Sequence, residues 1–151
     1  MLARHLKANL PEDDLLYFGS PENDAQKAET LFIGFWTDRG GSDPLISDFL
    51  KGLQGKQVFL FGTAGFGGSD SYFTQILARV KANLDRSNTI IGCYMCQGRM
   101  PISVRQRYEA MKTEQPEKMQ QLIQNFDRAL THPDQADLDH LLNAVRSSLL
   151  K

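Results

Sequence analysis

Three short apolar runs stand out along the chain, at residues 30–36, 56–62 and 89–95. They are rich in Ile, Val, Phe and Tyr and show no polar alternation, which is typical of parallel strands buried on both faces. A weaker run at residues 15–18 predicts an additional, shorter strand.

Amphipathic helical patterns separate these runs, and capping residues mark where the helices begin. Asp43 precedes Pro44 as an N-cap followed by proline at the first helical position, and residues 69–71 form a second capping group. The alternation predicts an α/β domain of right-handed βαβ units, in which helices cover both faces of an open parallel sheet. The apolar residues of the two helical faces are Leu45, Phe49, Leu50 and Leu53, then Phe73, Ile76, Leu77, Val80 and Leu84.

Two further amphipathic stretches follow the last predicted strand and are separated by His132 and Pro133. They predict extra C-terminal helices. A chain of 151 residues without an internal repeat or low-complexity linker has the usual size of one domain, so we expect a single domain over residues 1–151. The apolar residues of the two stretches are Met119, Leu122, Ile123, Phe126 and Leu130, then Leu138, Leu141, Leu142, Val145 and Leu149.

The beginning of the sequence is unusual for a helix. Leu2, Leu6 and Leu10 share one helical face, but nothing before them can cap the helix, and the α-amino group of Met1 would face the positive end of the helix dipole. One interpretation is that a strand and a capping turn belong before Met1, so that the domain is N-terminally incomplete. The other is a frayed terminal helix.

Charge and hydropathy exclude several classes of function. The 17 basic and 18 acidic residues give a formal charge of −1, so no overall field attracts nucleic acid or an anionic membrane. The apolar runs are far shorter than a bilayer span, and the first residues lack the apolar region of a signal peptide. We therefore expect a cytoplasmic protein without a nucleic-acid or membrane partner.

The two cysteines, Cys93 and Cys96, are too few for a disulfide framework, and we expect reduced thiols. Their spacing is compatible with half a zinc site or a redox pair. However, there is no second cysteine pair, no histidine stands at ligand spacing, and Cys93 lies inside a strand pattern. We therefore predict no metal site, although Cys96 could still line a pocket.

Candidate binding residues follow the predicted strands. Ligands of open parallel sheets bind outside the carboxyl ends of the strands, which directs attention to residues 36–42, 63–69 and 96–99. Glycines there let the backbone approach a flat ligand, while Trp36 and Phe66 could stack on its faces. A heterocycle such as isoalloxazine fits this description. The alternative is that the glycines only make a tight turn and that Trp36 caps the core.

The sequence contains no nucleophile motif, no paired-carboxylate pattern, no Walker loop and no dinucleotide fingerprint, so we predict no catalytic residue. An acidic cluster near the beginning is either a solvated turn or a docking surface for a basic redox partner. Its members are Glu12, Asp13, Asp14, Glu22 and Asp24.

Three segments, residues 59–68, 33–36 and 96–100, resemble the short flavodoxin-like family, in the branch that includes the flavodoxin-like partner of bacterial bilirubin reductase. The resemblance runs from Met1 through the helical tail. It implies a five-stranded flavodoxin fold that holds FMN and passes electrons one or two at a time, and a carbonyl near Gly40 or Gly41 that could meet the flavin N5–H. The implied FMN contacts are Trp36, Thr37, Gly40, Gly41, Thr63, Ala64, Gly65, Phe66, Gly67, Gly68, Cys96, Gln97 and Gly98.

One departure from the family weakens this expectation. The family's first strand and its Ser/Thr-rich phosphate turn would lie immediately before Met1, where this sequence has no residues. That strand is central in the family order 2-1-3-4-5, so the strand at residues 15–18 must pair elsewhere, shift inward or recruit another chain. Without the phosphate turn, we expect FMN to bind weakly or not at all.

These observations leave three hypotheses. The first is an FMN-dependent electron carrier or reductase partner, which we favour over a stand-alone enzyme. The second is a flavin-free interaction module that binds a protein or forms a homo-oligomer through an exposed strand edge. The third is a flavoenzyme that reduces a quinone or another small molecule, with Arg39 or Tyr94 in contact with the substrate.

Overall fold

A computed structural model describes residues 1–67 and 69–151. The helical and strand patterns fold into one α/β arrangement of four strands and six α-helices within that part of the chain. The strands are β1 (Thr30–Asp38), β2 (Gly41–Ser42), β3 (Gln57–Ala64) and β4 (Thr89–Gln97). The helices are α1 (Leu2–Asn9), α2 (Pro44–Gly52), α3 (Asp70–Lys81), α4 (Ile102–Ala110), α5 (Pro116–Ala129) and α6 (Gln135–Leu149).

The sheet has the order β2-β1-β3-β4, and its three long strands are parallel, as predicted. The register pairs Thr30 with Gln57 and continues to Trp36 with Thr63. The short strand β2 pairs antiparallel with the last two residues of β1. Because the parallel strands are in phase, their carboxyl ends meet at one edge of the sheet.

Helices cover both faces of the sheet, as the alternating pattern predicted. α2 and α3 pack on one face, and α1 and α6 pack on the other. The buried helical residues of the first layer are Ile46, Leu50, Ile76 and Val80, and those of the second are Leu2, Leu6, Leu141, Leu142 and Val145.

The predicted helix signals are confirmed in most places. The buried carboxylate of Asp43 accepts a hydrogen bond from the Ile46 N–H at 3.2 Å and caps α2. Ser69 stands at the N-cap of α3, but its hydroxyl pairs with that of Ser71 instead of a backbone N–H. Leu2 is buried in the first turn of α1, so this helix packs against the domain from its first residue. The interpretation as a frayed terminal helix is therefore wrong.

The strand predicted at residues 15–18 is wrong. A short 3-10 turn, Glu12–Asp14, leads into an irregular segment in which Leu16 and Phe18 are exposed. A strand needs a neighbour that accepts and donates its backbone hydrogen bonds, and none lies beside this segment in the described part of the chain. The resemblance implies five strands, but the described residues form four. One of the four is the short β2, which the sequence pattern did not indicate.

The three long strands also run two residues further than the apolar runs. The placement of five candidate residues in loops is therefore wrong, because strand hydrogen bonding continues into polar and small residues at the end of each run. These residues are Thr37, Thr63, Ala64, Cys96 and Gln97.

One edge of β1 stays open. Within the described residues, its outer side pairs with β2 only at Thr37 and Asp38, so residues 30–36 have no strand beside them. An apolar trench of about 640 Å³ follows this edge, and we call it the edge trench. Its walls include Leu6 from α1, Leu10 directly after that helix and Phe49 from α2. Among the helices that the structure describes, none combines the length and apolar character needed to cross a membrane.

Candidate functional site

A cavity of about 490 Å³ lies where the long strands end, and we call it the site cavity. Its position matches the general rule that ligands of open parallel sheets bind at the carboxyl ends of the strands. It is contiguous with the edge trench, since both are lined by Gly34 and Phe61. The lining residues that carry the chemistry are Trp36 from β1, Thr63 from β3, Gly98 and Arg99 after β4, and His132 before α6.

Trp36 is the most exposed aromatic side chain at this cavity, with 59% of its surface accessible. The alternative in which it caps the core is therefore wrong. A large apolar ring held at the mouth of a cavity offers a stacking surface to a flat ligand. The strand pattern places Trp36 there because its neighbour Phe35 points to the opposite face, where it is buried.

The segment after Trp36 is a tight hairpin and not an open loop. Arg39 and Gly40 both adopt positive φ angles, of 49° and 81°, which form the two-residue turn between β1 and β2. The Thr37 hydroxyl donates to the Thr63 carbonyl oxygen at 2.8 Å. The Gly40 carbonyl oxygen accepts a hydrogen bond from Arg79 Nη1 at 3.3 Å, so one of its two acceptor positions is already used.

The segment after β3 is held by side-chain amides. The Gly65 carbonyl oxygen accepts from Gln97 Nε2 at 2.9 Å and from Asn125 Nδ2 at 3.1 Å. Phe66 is 39% exposed, and its ring lies nearly perpendicular to that of Tyr72, with the centroids 6.3 Å apart. A Cβ on Gly67 would lie 2.6 Å from Gln97 Cβ, so packing against Gln97 requires this glycine with or without a ligand.

Gly68, the last predicted residue of that segment, lies outside the described residues.

The segment after β4 closes the cavity from the third side. The Gly98 N–H donates to the Ala64 carbonyl oxygen at 2.9 Å, and a Cβ on Gly98 would lie 2.6 Å from Thr63 Cβ. Gly98 therefore lets the chain cross closely over the end of β3. This close approach brings the next residue, Arg99, to the cavity.

Cys96 belongs to the core, where it packs with Phe59 and Phe61 against α1 and α6. Burial raises the pKa of its thiol to about 12, so the group stays protonated at neutral pH. Cys93, three residues earlier on the same strand, packs on the opposite face of the sheet. The alternation of a strand thus separates the two sulfur atoms, and they cannot serve one metal ion or form a redox pair in this arrangement.

The predicted contacts divide into two groups. Trp36, Thr63 and Gly98 line the site cavity, and the other described candidates do not. Those others are Thr37, Gly40, Gly41, Ala64, Gly65, Phe66, Gly67, Cys96 and Gln97.

The electrostatic character of the cavity is positive. Arg99 is a cation among its lining residues, and no acidic side chain belongs to that lining among the described residues. The first turn of α1, through Met1, Leu2 and Ala3, also borders the cavity and adds the positive end of its dipole. This combination favours an anionic group.

His132 was not predicted as a site residue. Its Nδ1 lies 2.6 Å from Asp137 Oδ2, on the first turn of α6. Asp134 and Asp137 form a capping box, in which each carboxylate accepts the other residue's backbone N–H at 2.9 Å. The carboxylates are thus committed to the start of α6, and we assign the cluster to helix capping and not to metal binding.

The residues of the site cavity fit FMN in two respects. An exposed indole and the closely approaching Gly98 backbone suit the face and edge of a flat ring, while Arg99 and the α1 turn suit its anionic phosphate. Trp36 and Gly98 would hold the ring, and Arg99 would face the phosphate.

Comparisons with known proteins all point to the flavodoxin domain family. A family model described as a flavodoxin domain matches residues 1–146. The flavodoxin-like domain-containing protein BilS of Clostridium symbiosum (strain WAL-14163) is 36% identical over 132 residues, which are 82% of this chain and 69% of the relative. BilS of Clostridioides difficile (strain CD3) is 25% identical over 130 residues, which are 85% of this chain and 74% of that relative.

Proposed function

Because this chain belongs to the flavodoxin domain family, we propose that it is an FMN-binding electron-transfer protein that serves a reductase or another redox partner in the cytoplasm. Its α/β architecture, with a mostly parallel four-stranded sheet between helices, is flavodoxin-like. The observation that supports FMN binding most directly is the exposed indole of Trp36 at a cavity that also contains Gly98 and Arg99. FMN, when bound, supplies the chemistry of accepting and releasing electrons singly or in pairs.

The protein's own groups have separable roles in this proposal. Trp36 provides the stacking surface, and the Thr37 to Thr63 hydrogen bond keeps the ends of β1 and β3 together beneath it. Arg99 and the first turn of α1 provide positive potential for the phosphate. Since stacking and charge act on different parts of the ligand, their contributions can be measured separately.

A titration of the full chain with FMN tests the proposal, read out by the visible absorption of the flavin and by quenching of its fluorescence. Trp36→Ala should weaken binding by roughly 1 to 3 kcal/mol, the range measured for aromatic stacking. Leu45→Ala removes an equally exposed apolar side chain on α2, away from the site cavity, and should leave the affinity unchanged. No spectral change at saturating FMN contradicts the proposal.

Riboflavin, which lacks the phosphate, isolates the contribution of charge. We expect the wild-type chain to prefer FMN over riboflavin and Arg99→Gln to lose most of that preference while retaining riboflavin binding. Equal binding of both ligands by the wild-type chain would show that the ring alone holds the flavin.

The acidic cluster supports the proposed redox partner. Glu12, Asp13 and Asp14 are exposed in one 3-10 turn, while Asp24 pairs with Lys27 at 2.7 Å. A cluster of exposed carboxylates increases the rate of association with a basic partner, and this rate falls as the salt concentration rises. A Glu12→Gln, Asp13→Asn and Asp14→Asn variant should therefore transfer electrons more slowly to a basic acceptor such as cytochrome c at low salt.

The edge trench favours a second candidate function, a module that binds an extended apolar strand of another polypeptide without flavin. The outer side of β1 presents unpaired backbone groups along residues 30–36 in the described part of the chain, between helical layers that are apolar on both sides. A strand that pairs there satisfies these groups and buries both of its faces. A second copy of this chain, paired through the same edge, is the alternative occupant.

Hydrogen exchange distinguishes this candidate. The outward amides of residues 31–36 should exchange quickly in the free protein, and a peptide of valine and isoleucine residues flanked by lysines should slow them. If these amides are already protected in a monomer, or the peptide has no effect, the strand-binding function fails. Sedimentation at several concentrations shows whether a second copy provides the protection.

A further inference from the structure

His132, which lines the site cavity, is paired with the carboxylate of Asp137. The imidazole Nδ1 lies 2.6 Å from Asp137 Oδ2, and the two side chains are 28% and 15% exposed. Asp137 Oδ2 also accepts the Asp134 N–H at 2.9 Å, so the carboxylate is fixed by the backbone at the start of α6. A carboxylate held in this way fixes the orientation of the ring that it contacts.

The pairing determines which ring nitrogen is available. A carboxylate accepts hydrogen bonds, so Nδ1 carries the proton that it donates to Asp137. Nε2 has no hydrogen-bond partner among the residues that the structure describes, and His132 lines the site cavity. Nε2 is therefore the nitrogen left for a ligand, as a base when the ring is neutral and as a donor when it is protonated.

Other charged and titratable groups near His132 lie at the start of α6, on β4 and in the lining of the site cavity. At the N-cap of α6, Asp134 Oδ2 lies 4.0 Å from His132 Nδ1. From β4, burial raises the pKa of both Tyr94 and Cys96, so these groups remain neutral near pH 7. Arg99 and Met1 also belong to the lining of the site cavity.

We propose that His132 is the proton-exchanging residue of the site cavity, that Asp137 is its positioning residue, and that the ligand served is one that becomes more negative as it gains electrons. This inference rests on the proposed electron-transfer function. When the ligand takes a proton, the Nε2–H bond breaks, the bonding pair stays on Nε2, and the proton goes to an oxygen or nitrogen atom of the ligand. The ring then regains a proton from solvent, which reaches its exposed part.

The first measurement needs no ligand. In protein labelled with ¹⁵N-histidine, long-range ¹H–¹⁵N spectra should show His132 in the Nδ1–H form when neutral, and Asp137→Asn should lose this preference. His140, exposed on α6, provides an internal control whose spectrum should not change. A wild-type His132 in the Nε2–H form would overturn the proposal.

The second measurement is the midpoint potential of bound FMN between pH 6 and 9. His132→Gln should lower the potential at the acid end and leave it unchanged at the alkaline end, because a protonated ring stabilises added negative charge only where it is protonated. A tenfold decrease in the ratio of reduced to oxidised FMN corresponds to a decrease of about 59 mV in the midpoint potential for one electron. Asp137→Asn should give the same direction of change, and His140→Gln should match the wild type.

The outcomes separate the two proposals. If FMN binds and His132→Gln shows the same pH dependence as the wild type, the role of His132 is overturned while the electron-transfer function stands. If the absorption spectrum shows no binding of FMN, the proposed function fails, and the proton-exchange role fails with it.

Discussion

Arg79 Nη1 on α3 donates a hydrogen bond to the carbonyl oxygen of Gly40 at 3.3 Å, which ties the hairpin after β1 to the helix that follows β3. The contact is close enough that a Cβ on Gly40 would overlap the guanidinium. Gly40 also has a φ of 81°, which L side chains rarely adopt. The shape of the hairpin beside Trp36 therefore depends on this glycine.

Substitution of the two adjacent glycines tests this dependence. Gly40→Ala should lower the free energy of unfolding by about 1 to 3 kcal/mol, since it combines a strained backbone angle with the overlap on Arg79. Gly41→Ala is the matched control, because a Cβ there meets nothing within 4 Å. Urea denaturation of both variants measures the difference, and equal stabilities would show that the hairpin does not need a glycine at position 40.

The amides of Gln97 and Asn125 hold the segment after β3 through the Gly65 carbonyl oxygen. Asn125→Ala should lower the free energy of unfolding by about 1 to 3 kcal/mol, because it removes two partly buried hydrogen bonds. Asn125 Nδ2 donates one to the Gly65 carbonyl oxygen, and Asn125 Oδ1 accepts the other from Gln97 Nε2 at 3.1 Å. It should also speed amide exchange in residues 65–67. Gln124→Ala removes an exposed neighbour on the same helix and should change neither quantity; if both variants behave alike, the amide contacts are not what orders this segment.

The buried thiol of Cys96 should resist alkylation in the folded protein. Its pKa is raised from 9.0 to about 12 by burial, so the reactive thiolate is scarce at pH 8 and the sulfur is also inaccessible. Because the folded pKa lies above the unfolded value, the thiol contributes stability that is complete below about pH 9 and is lost as the pH rises toward 12.

Iodoacetamide labelling followed by mass spectrometry checks the thiol prediction, with Cys93, which is only half-buried, as the internal comparison. Cys96 should react only after addition of denaturant. Rapid labelling of Cys96 in the native state at pH 8 would contradict its placement in the core.

The N-cap of α6 should make stability depend on acid pH. The Asp137 backbone N–H lowers the pKa of the Asp134 carboxyl below its ordinary 3.8, with a smaller contribution from His132. A lowered folded pKa means that the carboxylate contributes stability above pH 3.8, and that this contribution is lost as the pH falls through the folded value.

Thermal unfolding of Asp134→Asn and Asp139→Asn from pH 7 to pH 3 measures the effect. The first variant should have a lower Tm than the wild type at pH 7, and the difference should shrink at the acid end. Asp139 accepts a hydrogen bond from the Gln135 side chain on the exposed surface of α6 and should give a small change throughout. A constant difference for Asp134→Asn over the whole range would refute the assignment.

Sequence reasoning located most elements because their signals are local. The apolar runs, the Asp43 cap before Pro44 and the amphipathic tail each depend on residues within a few positions of one another. Ligands of open parallel sheets bind at the carboxyl ends of the strands, and this rule needs only the parallel order of the strands. It correctly directed attention to Trp36, Thr63 and Gly98, which line the site cavity. The same reasoning could not decide whether Trp36 was exposed or buried, because that depends on the packing around it.

Periodicity and capping act over short distances, so the α/β class, the three parallel strands and the helices that cover them follow from the sequence alone. The other features depend on contacts between distant parts of the chain. Residues 15–18 form no strand because pairing needs a partner that local pattern cannot supply. His132 joins Thr63 at one cavity although they are far apart in the chain, because the fold returns the segment before α6 to the carboxyl ends of the strands.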